Sequence, residues 1–275
     1  MQTLPVYVIS LKDAFERRAL IKKHLHTLGI EHEIIDAVNG EALSPEYLRE
    51  VNPTQNLSPG QIGCYLSHIQ VYERLIAQGT SVALILEDDT VLHPSVRKFI
   101  EYGCQSLDFD YCFVGSDDAG DAGYVYYDSS KPTLLSSQFL TYPLSSGPFC
   151  LHAYLITLEG AKKRVSCAYP ARSAIDHYQY LPYKPRFMAL IPMLAFVNEL
   201  SAVQSMSSLN WSGLQTKARK HWWYYPMRDL MTLKMLRKLI ALRRTEFPIL
   251  GRWKSFASSF KVVRQSHLKN AVDPL

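Results

Sequence analysis

Val82-Ala-Leu-Ile-Leu86 is an unbroken apolar run that passes directly into three carboxylates, Glu87-Asp88-Asp89. A strand that is apolar at every position must be covered on both faces, as in a sheet with helices on each side. Three adjacent acids repel one another, and a divalent cation removes that cost. In an open α/β sheet, ligands gather outside the carboxyl ends of the strands. This one stretch therefore fixes an expected fold class and an expected site. Taken alone, the acids also fit a solvated acidic turn.

The rest of the chain reads as strands alternating with helices, which implies an open α/β sheet. Pro5 to Ser10 reads as a buried first strand, followed by a helix with a capping box at Asp13 and Glu16 and a stop at Gly29. Glu31 to Asp36 reads as a short strand, and Ser44-Pro45 opens a short helix. A longer helix starts at Ser58-Pro59 and ends at Gly79, with Ile62, Tyr65, Leu66, Ile69, Tyr72 and Leu75 at helical spacing. Helix is expected from Pro94 to Cys104, strand from Tyr111 to Gly115 and from His152 to Thr157, and helix from Glu159 to Cys167. Residues 116–148 read as an irregular loop, long enough to suggest a function. Arg172 to Tyr180 reads as a short helix holding Asp176.

Charge divides the 275 residues unevenly. Residues 1–216 carry 16 Lys/Arg against 22 Asp/Glu, whereas 217–269 carry 14 against two. The sequence thus predicts a catalytic domain over 1–216 and a basic, aromatic-rich helical segment over 217–275. Between Leu230 and Arg244, Lys234, Arg237, Lys238 and Arg244 share about one third of a helical wheel. Trp222, Trp223, Tyr224 and Tyr225 precede them. Such a segment suits an anionic membrane surface; a packing helix with a solvated basic face is the alternative, and nucleic acid is not expected. Five cysteines with no Cys-x-x-Cys argue against a disulfide framework or a zinc site, and most are expected to be small buried residues. The N-terminal residues lack a basic stretch followed by a long apolar one, so no signal peptide is expected, and Pro192 interrupts the longest apolar run, Met188 to Val197. A cytoplasmic protein, peripheral on the inner membrane, is the expectation.

Several side chains carry candidate chemistry. Ile9, Ser10 and Leu11 end the first strand, where backbone groups can cradle a nucleotide, and Arg17 can reach a phosphate or remain a solvated helix residue. Gly60 and Gly63 each cost about 1 kcal/mol against Ala inside a helix, so close approach of another element or a ligand is expected there. Gln61, Ser67 and His68 lie on that helix as donor-site candidates; a lone helical histidine is otherwise a packing residue. Asp176 is a candidate general base or a surface carboxylate. Asp117, Asp118, Asp121 and Glu199 are weaker candidates.

Taken together, the chain resembles glycosyltransferase family 25. The resemblance rests on Val6 to Leu11 with Glu16-Arg-Arg18, Leu57-Ser-Pro-Gly-Gln-Ile-Gly-Cys-Tyr-Leu-Ser-His68, Ala83 to Asp89, His152 to Thr157 with Gly160-Ala161, and Ile175-Asp176. It implies a GT-A-like, Rossmann-type open sheet, a UDP-sugar donor and a divalent metal, Mn²⁺ first and Mg²⁺ second. It implies inverting transfer of galactose from UDP-galactose to a lipooligosaccharide or lipopolysaccharide acceptor, through a β-1,4 linkage. The acidic motif carries over as Glu87, Asp88 and Asp89, with Glu87 and Asp89 expected on the metal and Asp88 on the donor. Ser10 stands where many relatives have Asn, and His177 where many have Trp. The competing reading is a non-catalytic sugar-binding or adhesion module on the same fold.

Overall fold

The computed structural model describes residues 4–102, 104, 107–115, 126–136, 139–149, 151–197 and 260–262. In chain order the elements are β1 (Val6–Leu11), α1 (Phe15–Thr27), β2 (Glu33–Ala37), α2 (Pro45–Val51), α3 (Pro59–Gln78), β3 (Val82–Glu87), β4 (Thr90–Leu92), α4 (Ser95–Tyr102) and β5 (Tyr111–Phe113). There follow β6 (Tyr126–Asp128), β7 (Thr133–Ser136), β8 (Phe139–Pro143), β9 (Ala153–Thr157), α5 (Leu158–Val165), β10 (Phe187–Leu190), β11 (Ala195–Val197) and β12 (Phe260–Val262). Glu199, Asp117, Asp118 and Asp121 lie outside the described residues, as does all of 217–275 except β12, which pairs antiparallel with β6.

The sheet is open and eight-stranded, in the order β2-β1-β3-β9-β5-β10-β8-β7. The β1 strand pairs in parallel with both β2 and β3, and β9 lies antiparallel between β3 and β5. The α/β architecture is thus as expected, with a mixed rather than wholly parallel sheet. Alternation along the strands explains its two coverings. Tyr7, Ile9, Ala83 and Ile85 pack with Ile62, Tyr65, Ile69, Tyr72 and Leu75 of α3. On the other face, Val6, Val8, Leu84 and Leu86 pack with Ile21 and Leu25 of α1 and with Val96 and Phe99 of α4.

Local chemistry sets most boundaries as read. Ser58 caps α3 in a reciprocal box with Gln61, and Gly79 ends it at φ +64°. Ser44 caps α2 ahead of Pro45. The α1 start differs: Ala14 is the cap residue and no side chain caps it, so the Asp13–Glu16 box does not form. The loop read over 116–148 is also corrected in part. Its described portion holds β6, β7 and β8, and β7 and β8 extend the main sheet at one edge. Thr133, Leu134, Phe139, Leu140, Thr141 and Tyr142 are strand formers, but intervening Ser and flanking Pro obscured their alternation. Asp176 sits in a turn, and the helix expected around it is reduced to a 3-10 turn at Tyr178–Tyr180.

Candidate active site

The order in which strands are added to the sheet reverses at β1. The connection through α1 leads from β1 to β2 on one side; the connection through α2 and α3 returns to β3 on the other. A crevice at such a switch point, outside the carboxyl ends, is where open α/β sheets hold ligands. Ile9 lies opposite Glu87 in the ladder, so Ser10 and Leu11 meet Asp88 and Asp89 across it.

The three acids have different surroundings. Both Asp88 oxygens are engaged: Oδ2 accepts from Ser10 Oγ at 2.6 Å, and Oδ1 accepts from Arg17. Burial pushes the Asp88 carboxyl up, against the pull of Ser10 and Arg17. Asp89 receives Arg17 at 3.3 Å, while its Oδ1 is buried without a hydrogen-bond partner. Burial first, then the charge of Glu87, raises Asp89 to about 7 against the opposing guanidinium. Glu87 Oε1 faces His68 Nε2 at 3.3 Å. Burial pushes Glu87 up, but the His68 hydrogen bond and the charges of His68, His152 and Arg17 outweigh it and leave the carboxyl lowered.

Two further lines converge here. The His68 ring is nearly fully enclosed; its Nδ1 lies 2.7 Å from Tyr154 Oη, which in turn lies 2.7 Å from Tyr72 Oη. Cys64, one turn earlier on α3, is open to solvent, yet burial and then the charges of Glu87, Asp176 and Asp89 push its thiol up. Asp176, from a distant part of the chain, is thus among the charges that act on Cys64. The Sγ of Cys64, a His68 ring nitrogen and a Glu87 oxygen all lie within 4.8 Å of one another. The reading of the cysteines as mostly small buried residues fails at this position. Among the described ones only Cys112 is fully buried.

The remaining predicted residues take supporting places. Ser67 is buried and holds Val38 N at 2.9 Å while donating to Gly63 O at 2.6 Å. Gln61 completes the α3 cap. The close approach expected at the glycines is real at Gly63: a Cβ there would lie 2.6 Å from Gly40 N and Val38 O. Three residues in the site escaped the sequence reading. Arg18 donates to Leu11 O, Ser10 O and Asp36, tying the ends of β1 and β2 together. His152 accepts Glu87 N and Thr90 Oγ1 on its carbonyl, and a Cβ at Gly115 would lie 2.3 Å from its Nε2. Cys64 is the third. Beside the crevice opens a cavity of about 860 Å³ lined by Leu11, Lys12, Arg18, Lys22, Ala37 and Asn39, among others.

Among the described residues, the donors grouped closely enough to hold a cation are Cys64, His68 and Glu87, a set that mixes sulfur, nitrogen and oxygen. Asp89, two residues on from Glu87, adds an orphaned buried oxygen, and Glu87 is about 30% exposed.

The model of "Glycosyltransferase family 25 (LPS biosynthesis protein)" matches residues 3–179. The chain belongs to glycosyltransferase family 25. Its curated relatives include a "Probable inactive glycosyltransferase 25 family member 3" from Rattus norvegicus, 25% identical over 64% of this chain and 32% of the relative. A "Glycosyltransferase 25 family member" from Anopheles gambiae is 28% identical over 64% and 31%, and human "Procollagen galactosyltransferase 2" is 25% identical over 64% and 29%. The chain therefore spans about a third of the length of these family 25 relatives. Among solved structures, A197 from STIV matches with a TM-score of 0.41 at 15% identity, covering 72% of this chain and 86% of that one. A glycosyltransferase involved in glycosylation of the major capsid of PBCV-1 matches at 0.34 and 11%, covering 66% and 71%.

Proposed function

We propose that this chain is an inverting glycosyltransferase that moves galactose from UDP-galactose to a hydroxyl of a lipooligosaccharide or lipopolysaccharide acceptor, through a β-1,4 linkage. The observation that carries the reading is the switch-point crevice. There the orphaned Asp89 oxygen, Glu87 and Arg17 gather at the carboxyl ends of β1 and β3. Likeness alone does not decide between turnover and mere binding, because a relative named inactive and one named a galactosyltransferase are each 25% identical to this chain.

In this reading the nucleoside occupies the cavity beside β1, against Leu11 and Asn39, with Lys12 and Lys22 near its phosphates. Ile9 and Ser10 present the strand end to it. Asp88, held by Ser10 and Arg17, fixes the guanidinium so that its charge meets the leaving diphosphate. Glu87 and Asp89 hold a divalent cation, Mn²⁺ first and Mg²⁺ second, which when bound neutralises the diphosphate. Asp176 takes the proton from the acceptor hydroxyl as that oxygen attacks the anomeric carbon from the face opposite the leaving group. Gln61 and Ser67 act through the α3 cap and the 38–40 backbone. His68 sets the orientation of Glu87.

The second reading, a non-catalytic sugar-binding or adhesion module, shares the crevice without turnover. Incubation of the purified chain with UDP-galactose, Mn²⁺ and lipooligosaccharide separates the two. The transferase reading expects stoichiometric UDP and a β-linked galactosyl product. Saturable UDP-sugar binding with no product from any UDP-hexose contradicts it and leaves the binding module.

A further inference from the structure

We propose that Cys64, His68 and Glu87 form a mixed sulfur–nitrogen–oxygen site that selects a thiophilic or borderline divalent cation, of the Zn²⁺ or Co²⁺ kind, over Mg²⁺ and Mn²⁺. The site shares Glu87 with the Glu87–Asp89 pair of the transferase reading but is distinct from it, and the inference concerns binding of the ion and does not rest on that reading. Three observations carry it. First, the three donor atoms come from two different elements and all lie within 4.8 Å of one another. His68 Nε2 and Glu87 Oε1 are 3.3 Å apart. Two ligands each at about 2.05 Å from a tetrahedral ion stand about 3.3 Å apart, so this pair already has the spacing that zinc needs.

Second, the histidine is oriented as metal-bound histidines are. Its other nitrogen is fixed at 2.7 Å by Tyr154 Oη, which is backed by Tyr72 Oη. When Nδ1–H donates to Tyr154 Oη, Nε2 presents its lone pair toward Glu87 and Cys64. The ring is almost wholly buried between α3 and β9, so it holds that direction. Third, the site has an entrance and a rigid base. Cys64 is exposed and Glu87 partly so, which leaves a path for the ion. Gly63, adjacent to Cys64, packs backbone to backbone against residues 38 and 40, which fixes the start of α3.

The chemistry then follows from donor softness. Thiolate and imidazole favour Zn²⁺ and Co²⁺, whereas Mg²⁺ wants oxygen. As the sulfur–metal bond forms, the Cys64 thiol releases its proton to solvent. One thiolate and one carboxylate balance the dication, and three protein ligands leave a fourth position open.

The test uses the purified full chain stripped of metal and titrated with Co²⁺, then with Zn²⁺ or Mg²⁺. One equivalent of Co²⁺ is expected to give a near-ultraviolet thiolate charge-transfer band with intense visible bands. Zn²⁺ displaces it and excess Mg²⁺ does not. Cys64→Ser is expected to lose the charge-transfer band and to bind Zn²⁺ about 100-fold more weakly, whereas Glu87→Gln weakens binding but keeps the band. Zn²⁺ is also expected to protect Cys64, and not Cys167, from alkylation in the wild-type protein, a readout that needs no variant to fold. A folded wild-type chain without the thiolate band, or equal Zn²⁺ affinity in Cys64→Ser, overturns the site. Galactosyl transfer with Mn²⁺ by a chain lacking the band removes the site and leaves the transferase reading. The band without transfer does the reverse.

Discussion

The carboxylates of the crevice do unequal work, and pH separates them. Asp89 keeps its proton to about 7 because burial and Glu87 disfavour its charge. In the unfolded chain the same group titrates near about pH 4. Its folded value is the higher one, so the stabilisation is full at acid pH and is lost as pH rises through about 7. In chelator, the unfolding free energy should therefore fall between about pH 4 and pH 7 and level off above that, and Asp89→Asn should flatten that slope; denaturant titrations at several pH values report it. Glu87 and Asp36 have lowered carboxyls, and their opposite contributions lie at more acid pH. As a general base, Asp176 should tolerate neutralisation with donor affinity unchanged while kcat drops about 10²-fold or more. A collapse of UDP-galactose affinity with kcat preserved would instead make Asp176 a donor ligand. Legibility at this scale followed chain proximity. Glu87, Asp88 and Asp89 are consecutive and stand out. His152 and Cys64 do not, because a histidine at a strand start and a cysteine among helical glycines carry no local pattern. Their importance comes from distant contacts, such as that of Thr90 Oγ1 with the His152 carbonyl, 62 positions apart.

Elements with strong local signals were readable, and those made by pairing were not. The α3 helix carries its cap, its apolar stripe and its terminal glycine in sequence, and it forms with those boundaries. The β7, β8, β10 and β11 strands are three to five residues long and exist because neighbours supply ladder partners. The failed cap at Asp13 has a similar origin: the β1–α1 connection is set by Arg18 gripping Leu11 O and Ser10 O. The glycine reading was sound in kind, since Gly63 permits backbone contact between α3 and the segment after β2. Backbone atoms at 2.6 Å cannot swing aside as a flexible side chain can. Gly63→Ala should destabilise the fold by about 1–3 kcal/mol through overpacking. It should also disturb Cys64 and His68, seen as a lower melting temperature together with weaker metal binding. An unchanged melting temperature would mean that the 38–40 segment yields freely.

At the scale of the whole molecule, the main sheet and its two coverings place a crevice at the switch point between β1 and β3. The basic segment 217–275 is proposed to hold that crevice near a lipid-borne acceptor at an anionic surface. No helix among the described residues is long and apolar enough to cross a membrane. Basic residues near an anionic leaflet contribute about 1 kcal/mol each, so attachment should be salt-sensitive. The full chain should sediment with anionic vesicles at low salt and release at high salt. Replacing Lys234, Arg237, Lys238 and Arg244 by Gln should weaken sedimentation and leave transfer to a soluble acceptor nearly unchanged. Equal binding to neutral vesicles would refute the electrostatic account. The central claim, a metal-assisted transferase centred on the acidic cluster, is tested most directly by acceptor-dependent UDP release from UDP-galactose in wild-type protein and Asp89→Asn. The account predicts release that chelator abolishes in the wild type and that is absent in the variant, with far-ultraviolet circular dichroism unchanged. Full release by the variant, or by wild type in excess chelator, would contradict it.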